Sequence, residues 1–267
     1  MQAIYQPKGA AREYEGWACN LWNGCAHGCV YCYVPDVLRR DRSGFHATVA
    51  PRPGILDALE RDCRRLEGRV KRVFLCFTCD PFPGKEMAMG ITRQAIEILN
   101  RHGIGSAVLT KAWVHPDQFI PLGHHRQSRF GVSVTTAGPV QHEQWEPESA
   151  CWGQRLHNLM VAKCRKIPTW ASCEPVINPD MTLAMIKEAA PFVDYFAVGR
   201  MNHVGRLPDP YRVQVAGIDW PKFREDAEAL LQSLGYRDVR AGKHPGSAGL
   251  LDAEPGAYLI KEDLRKS

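Results

Sequence analysis

Between residues 72 and 235 the chain alternates five times between a short apolar, β-rich run and a longer stretch with helical spacing, without an internal sequence repeat. "RVFLCFT" (72–78) precedes a helix predicted over 87–102, "GSAVLTK" (105–111) a short one near 115–122, and "RFGVSVTT" (129–136) one over 153–165. "IPTWASCEP" (167–175) precedes a helix near 180–190. "VDYFAVGR" (193–200) leads through a loop to "DWPKFREDAEALLQSLG" (219–235), where Asp219 reads as the N-cap and Gly235 as the residue past the C-cap. Strands separated by helices pair in parallel. A first strand around "GWACNLW" (16–22) brings the count to about six βα units. The expected fold is α/β, a partial (β/α)6 TIM-like barrel in one domain, with its core over about 15–205 and a helical extension over 206–267.

Such barrels carry their chemistry at the C-terminal ends of the strands. The residues closing the runs are Cys25, Cys29 and Cys32, then Thr78-Cys79-Asp80, Lys111, Ser133 to Thr135, Cys173-Glu174, and Arg200. They are mostly polar or thiol-bearing, which suits a shared mouth and not a filled core.

"NGCAHGCVYCYV" (23–34) is the most concentrated of these groups, with Cys25-x3-Cys29-x2-Cys32. A structural zinc ion needs four ligands, usually as two spaced pairs. His27 lies between two of the cysteines and cannot easily reach an ion that both bind, so zinc requires a distant fourth ligand. A cubane [4Fe–4S] cluster held by three thiolates leaves one iron open to a small molecule. Gly24 and Gly28 give the loop the backbone freedom to wrap it.

The spacing, with Tyr31 before the third cysteine, resembles the signature of the radical S-adenosylmethionine (SAM) superfamily. "FTCDPF", "ITRQAIEIL", "VLTKAWV", "GVSVTT", "QWEPES…QRL" and "YLIKEDLR" resemble, in order, the group related to spore photoproduct lyase, also called DNA repair photolyase-like. The resemblance is distinctive over about residues 20–200. It implies a lyase-type enzyme in which SAM binds the open iron, and an electron from the cluster cleaves it to a 5′-deoxyadenosyl radical. It also implies a reductant such as flavodoxin or ferredoxin, and a nucleic acid as candidate substrate.

By the same resemblance Cys25, Cys29 and Cys32 are the cluster ligands, and Tyr31 offers backbone contacts to the adenine. Asp80 is placed to accept from the methionine ammonium, or else to cap the turn before Pro81. Lys111 would pair with the SAM carboxylate or ribose edge, or be a surface lysine. Ser133 shares a strand face with Thr135 and would bond the ribose or carboxylate if that face is interior. Glu174 and Arg200 would bind SAM or a polar substrate, or pair with each other. Cys79 and Cys173 are candidate hydrogen-atom donors. In the lyase group a cysteine near the end of the second strand has that task, but Phe77 stands in its place here, two residues from Cys79. Cys76 and Cys79, three apart on an expected strand, would face opposite ways and share no metal.

The other cysteines, Cys19, Cys63, Cys151 and Cys164, are scattered and read as inert, and His124, His125, His142 and His244 have no metal-ligand spacing. The net charge of +5 draws on "RRDR" (39–42) and "RDCRRLEGRVKR" (61–72), which would meet phosphates or simply face solvent. No apolar run is long enough to span a bilayer, and the amino-terminal stretch lacks an apolar signal core, so a cytoplasmic protein is expected. Two alternatives remain open on the sequence: a radical SAM enzyme acting on a peptide or small molecule, and a non-enzymatic zinc or iron–sulfur protein.

Overall fold

A computed structural model describes residues 1–240 and 250–267, so His244 lies outside the described residues. The strands are β1 (Ile4–Tyr5), β2 (Ala18–Cys19), β3 (Trp22–Asn23), β4 (Ala50–Pro51), β5 (Arg72–Leu75), β6 (Gly105–Thr110) and β7 (Arg129–Ser133). They continue with β8 (Thr169–Cys173), β9 (Tyr195–Val198), β10 (Arg237–Asp238) and β11 (Ala257–Ile260). Among the described residues, nine strands form one sheet in the order β1-β2-β5-β6-β7-β8-β9-β11-β10, and β3 pairs with β4 in a separate ribbon. From β2 to β10 every pairing in the large sheet is parallel, and β1 joins antiparallel at its edge. The architecture is a partial barrel of parallel strands with helices outside.

Alternation along each strand sorts side chains to two faces. Val73, Leu75, Val108, Phe130, Val132, Ala171, Cys173, Phe196 and Val198 belong to the cluster that packs against the helices. Phe74, Ala107, Trp170, Tyr195, Ala197 and Leu259 belong to the cluster inside the curve, with Tyr14 from the amino-terminal segment. Burying two faces is what makes these runs read as nearly continuous apolar stretches.

Three sequence expectations change. The helix predicted over 87–102 is two helices, Glu86–Met89 and Ile91–Arg101, because Gly90 takes φ 60°, a left-handed turn a helix interior cannot contain. The strand predicted over 129–136 ends at Ser133, and Thr135 and Thr136 turn their hydroxyls to Glu146 instead of a neighbouring strand. The stretch expected as a helical extension does hold the helix Trp220–Ser233, capped by Asp219 accepting from Lys222 N at 3.0 Å. It also adds β10 and β11 to the sheet. β11 pairs with β9 because "AYLI" presents Ala257 and Leu259 to the barrel interior while Tyr258 and Ile260 face the helices.

Gly131 on β7 leaves room for the indole of Trp170, its cross-strand partner on β8, to lie across β7 and reach β6. A Cβ there would lie 2.2 Å from Trp170 Nε1, which donates to Val108 O at 3.0 Å. Gly131→Ala should destabilise the fold by ~1–3 kcal/mol through overpacking. Urea unfolding of the variant checks this, and an unchanged midpoint would show that the indole moves aside freely.

Candidate active site

The C-terminal ends of the strands open on a cavity of about 480 Å³, lined on one wall by Cys25, His27, Cys29, Tyr31 and Cys32. The loop carrying these residues begins beyond β3. Gly24 sits at φ 79°, and a Cβ there would come within 2.0 Å of Thr48 O, so only glycine lets the loop pass. Backbone bonds tie it down on both sides: Cys25 N donates to Phe45 O at 3.3 Å and Val30 N to Trp145 O at 3.0 Å. Arg42 Nη2 donates to Cys32 O at 2.5 Å, and His46 Nδ1 lies 2.7 Å from Cys25 O.

Burial pushes the Cys25 thiol up to about 12 and raises Cys29 and Cys32 as well. All three line one cavity, yet among the described residues no three Cys, His, Asp or Glu side chains gather around a single ion position. Thiols spread over one concave wall suit the corners of a cube better than a single tetrahedral ion. The donor set therefore fits a [4Fe–4S] cluster.

Asp80 joins this loop to the sheet. Oδ1 accepts from Phe82 N at 2.8 Å and Thr110 Oγ1 at 2.7 Å, while Oδ2 accepts from Lys111 N at 2.8 Å and faces His27 Nε2 at 2.9 Å. Those four partners fill the lone pairs of a carboxylate. Burial alone would raise its pKa, but His27 and the backbone N–H groups hold it below the usual range. Of the two roles expected for Asp80, acceptor for the methionine ammonium or cap of the turn before Pro81, these bonds are those of the turn, with Oδ1 accepting from Phe82 N across Pro81. His27 Nδ1 lies 3.1 Å from Glu148 O, so both ring nitrogens face acceptors. Burial acts to lower the His27 pKa, but Asp80 beside it raises it above the ordinary value.

Lys111 and Ser133 are where the strand ends predicted. Lys111 Nζ donates to Ser133 Oγ at 3.1 Å and lies 5.6 Å from the Tyr31 ring centroid, and all three line the cavity. Glu174 also lines it, but its partner is Lys261, whose Nζ donates at 2.7 and 3.0 Å; Tyr14 Oη donates to the same carboxylate. The expected pairing of Glu174 with Arg200 is thus replaced, and Arg200 is not among the cavity's lining residues. Cys173 is displaced more sharply. It is fully buried among the helix-facing side chains, one residue out of phase with Ser172, which faces the cavity. Cys79 does reach the cavity, and so does Cys76, against the expectation that they diverge. The strand stops at Leu75 before strand alternation can separate them.

Two further residues govern the site. Glu146 accepts from Thr135 Oγ1 at 2.6 Å, Thr136 Oγ1 at 3.1 Å and Arg155 Nη2 at 2.5 Å, and Tyr31 Oη donates to it as well. Arg155 also donates to Ser133 O at 3.1 Å, so one buried ion pair fastens the cysteine loop to the end of β7. Both lie in "QWEPES…QRL", a segment whose resemblance carries no role for either. Two opposite charges nine residues apart, Glu146 between Trp145 and Pro147 and Arg155 before Leu156, were the available signal.

Burial acts to raise the Glu146 pKa, but Arg155 and Lys111 bring it down to about 2 from an ordinary 4.5. A depressed carboxylate contributes stability above its unfolded value, and that contribution is lost as pH falls from about 4.5 to about 2. Glu146→Gln should cost ~3–5 kcal/mol at neutral pH by leaving Arg155 buried without its partner. It should also flatten the acid limb in that window. Urea midpoints against pH, measured for both proteins, test this; parallel acid limbs would show that Glu146 is not the titrating group.

Residues 19–193 match the family model described as the Radical SAM superfamily. A search of curated proteins finds no match. Among solved structures, a mutant of spore photoproduct lyase with bound AdoMet and dinucleoside spore photoproduct aligns with TM-score 0.64 and 14% identity, over 91% of this chain and 76% of that one. Spore photoproduct lyase complexed with dinucleoside spore photoproduct aligns with TM-score 0.65 and 14% identity over the same shares. Streptococcus suis SuiB bound to its precursor peptide SuiA aligns with TM-score 0.54 and 13% identity, over 91% of this chain and 48% of that one. At these identities the neighbours establish the fold, a radical SAM partial barrel. The family match covers more than half the chain and includes all three cysteines of the loop, so the protein belongs to the radical SAM superfamily, which uses a [4Fe–4S] cluster and SAM.

Proposed function

We propose that this chain reductively cleaves SAM and directs the resulting radical at a nucleic acid. The observation that carries the first half is the cavity wall itself: Cys25, Cys29 and Cys32 face the strand ends bearing Lys111 and Ser133 across one enclosed space. Cys25, Cys29 and Cys32 would hold the cluster, which when bound would supply the electron for reductive cleavage of SAM. The chain's own residues do the rest. Arg42, Asp80, Glu146 and His27 hold the cysteine loop, and Lys111, steadied by Ser133, offers a cation for the SAM carboxylate. Tyr31 keeps its phenol anchored on Glu146, leaving its backbone for the adenine. Cys79 is the thiol open to the cavity for returning hydrogen.

The nucleic acid half has two supports. The lyase neighbours include one with a bound dinucleoside spore photoproduct. Arg39, Arg40 and Arg42 are exposed directly beyond the cysteine loop, and Arg42 touches Cys32 O. The other basic cluster is largely spent within the molecule: Arg64 pairs with Glu60, Arg65 with Asp62, and buried Arg72 with Glu15 and Asp252. A peptide substrate is the second reading, favoured by the likeness to peptide-bound SuiB.

Anaerobic reconstitution with iron and sulfide, then dithionite and SAM, should yield 5′-deoxyadenosine. A loaded cluster without that product would overturn the enzymatic reading. Cys29→Ala should lose the cluster's visible absorption and all SAM cleavage, and unchanged absorption would refute the ligand assignment. Lys111→Met should retain the cluster and bind SAM roughly tenfold or more weakly, for loss of a charge-assisted bond. Under the same conditions, oligonucleotides and peptides are compared as stimulants of 5′-deoxyadenosine formation. Stimulation by peptide alone would select the second reading.

A further inference from the structure

We propose that Cys76 and Cys79 form a redox-active dithiol in the wall of the cavity, interconverting between two thiols and an intramolecular disulfide. The two residues frame Cys76-Phe77-Thr78-Cys79, a spacing that closes only a small ring and so costs little loop entropy. Had β5 continued, they would have faced opposite ways. It ends at Leu75, Cys76 takes φ 76°, and the chain bends at each of Phe77, Thr78 and Cys79. Both residues consequently line one cavity.

A left-handed conformation at a residue with a Cβ is held only where surrounding contacts over-determine it. Here Cys76 N donates to Cys19 O at 2.9 Å, Thr78 N to Asn20 Oδ1 at 3.1 Å, and the Phe77 ring stacks on Phe74 at 4.1 Å. The turn is therefore preformed, with both cysteines on one cavity wall. Their exposure differs in a useful way. Cys76 is buried at 5% exposure, whereas Cys79 is half-buried and opens to the cavity. Cys79 would meet an incoming reagent, and Cys76 would resolve it.

The chemistry is thiol–disulfide exchange. Cys79 Sγ attacks a low-molecular-weight disulfide, breaking its S–S bond; one small thiol leaves with a proton and a mixed disulfide remains. Cys76 Sγ then displaces the second small thiol and forms the bond to Cys79. The protein gives up two electrons and two hydrogens, both recovered in the two small thiols, and a dithiol reductant reverses the exchange. The oxidised form has no S–H hydrogen at this place in the cavity. The exchange is independent of SAM cleavage and of any substrate assignment.

The test uses the cluster-loaded protein, treated anaerobically with oxidised glutathione, then unfolded in acid, blocked with N-ethylmaleimide and cut with trypsin. Arg72 and Lys85 bracket residues 73–85, a peptide that contains these two cysteines and no others. Before oxidation it should carry two maleimides. Afterwards it should carry none and be lighter than the unlabelled reduced peptide by two hydrogen atoms. Cys76→Ser should instead accumulate glutathione on Cys79, having lost the resolving thiol. Retention of both labels in the wild-type peptide overturns the proposal, as does stable glutathione on wild-type Cys79 or a bond from Cys79 to Cys25. The wild-type measurement decides the matter by itself if the variant fails to fold.

Discussion

The carboxylate of Asp80 is the point on which the active-site end of the barrel depends. It receives the end of β6 through Thr110 and Lys111, the turn after β5 through Phe82, and the cysteine loop through His27. A buried anion with fewer donors would be a heavy penalty. With four, it becomes a junction that fixes three separate chain segments to one another, and the three-cysteine loop inherits the rigidity of the sheet.

A second buried junction works on the other side of the loop. Glu146 and Arg155 bind Tyr31, Ser133 and Thr135 into one network, so the loop is held between two saturated carboxylates. Both are engaged by the scaffold and are thereby withdrawn from ligand binding. Lys111 remains the cation beside the cysteines, steadied by Ser133. Across the cavity, Tyr14, Glu174 and Lys261 form a third polar group, with Lys261 Nζ 4.5 Å from the Tyr14 ring centroid. The cavity thus has a cysteine-bearing wall and a further polar wall built from the amino-terminal segment, the end of β8 and the last strand.

The βα order, the parallel sheet and the three-cysteine loop were legible because each is a local pattern: periodicity within a run, or spacing within one loop. Lys111, Ser133 and Cys79 were also legible as residues at or just beyond the ends of parallel strands, and all three line the cavity. Cys173 failed for a related reason. It closes β8, but the alternation that turns Ser172 inward turns Cys173 out toward the helices, and phase is set by which face the barrel curves around. The left-handed turn at Cys76 and the break at Gly90 escaped because backbone direction changes at single residues leave hydrophobic periodicity nearly untouched.

By itself, then, the sequence determined the class of fold, the cysteine loop and the rim on which chemistry would be sought. Only the tertiary structure decided which charges meet. Glu174 finds Lys261, 87 residues away, because β11 docks beside β9 and carries the lysine to the rim next to it. Asp80 is spent on four donors drawn from three segments, and Cys76 and Cys79 come to line the same cavity. Charge and thiol partners are chosen by distance through space, which a linear pattern does not encode, whereas the alternation that builds the barrel is written within each strand.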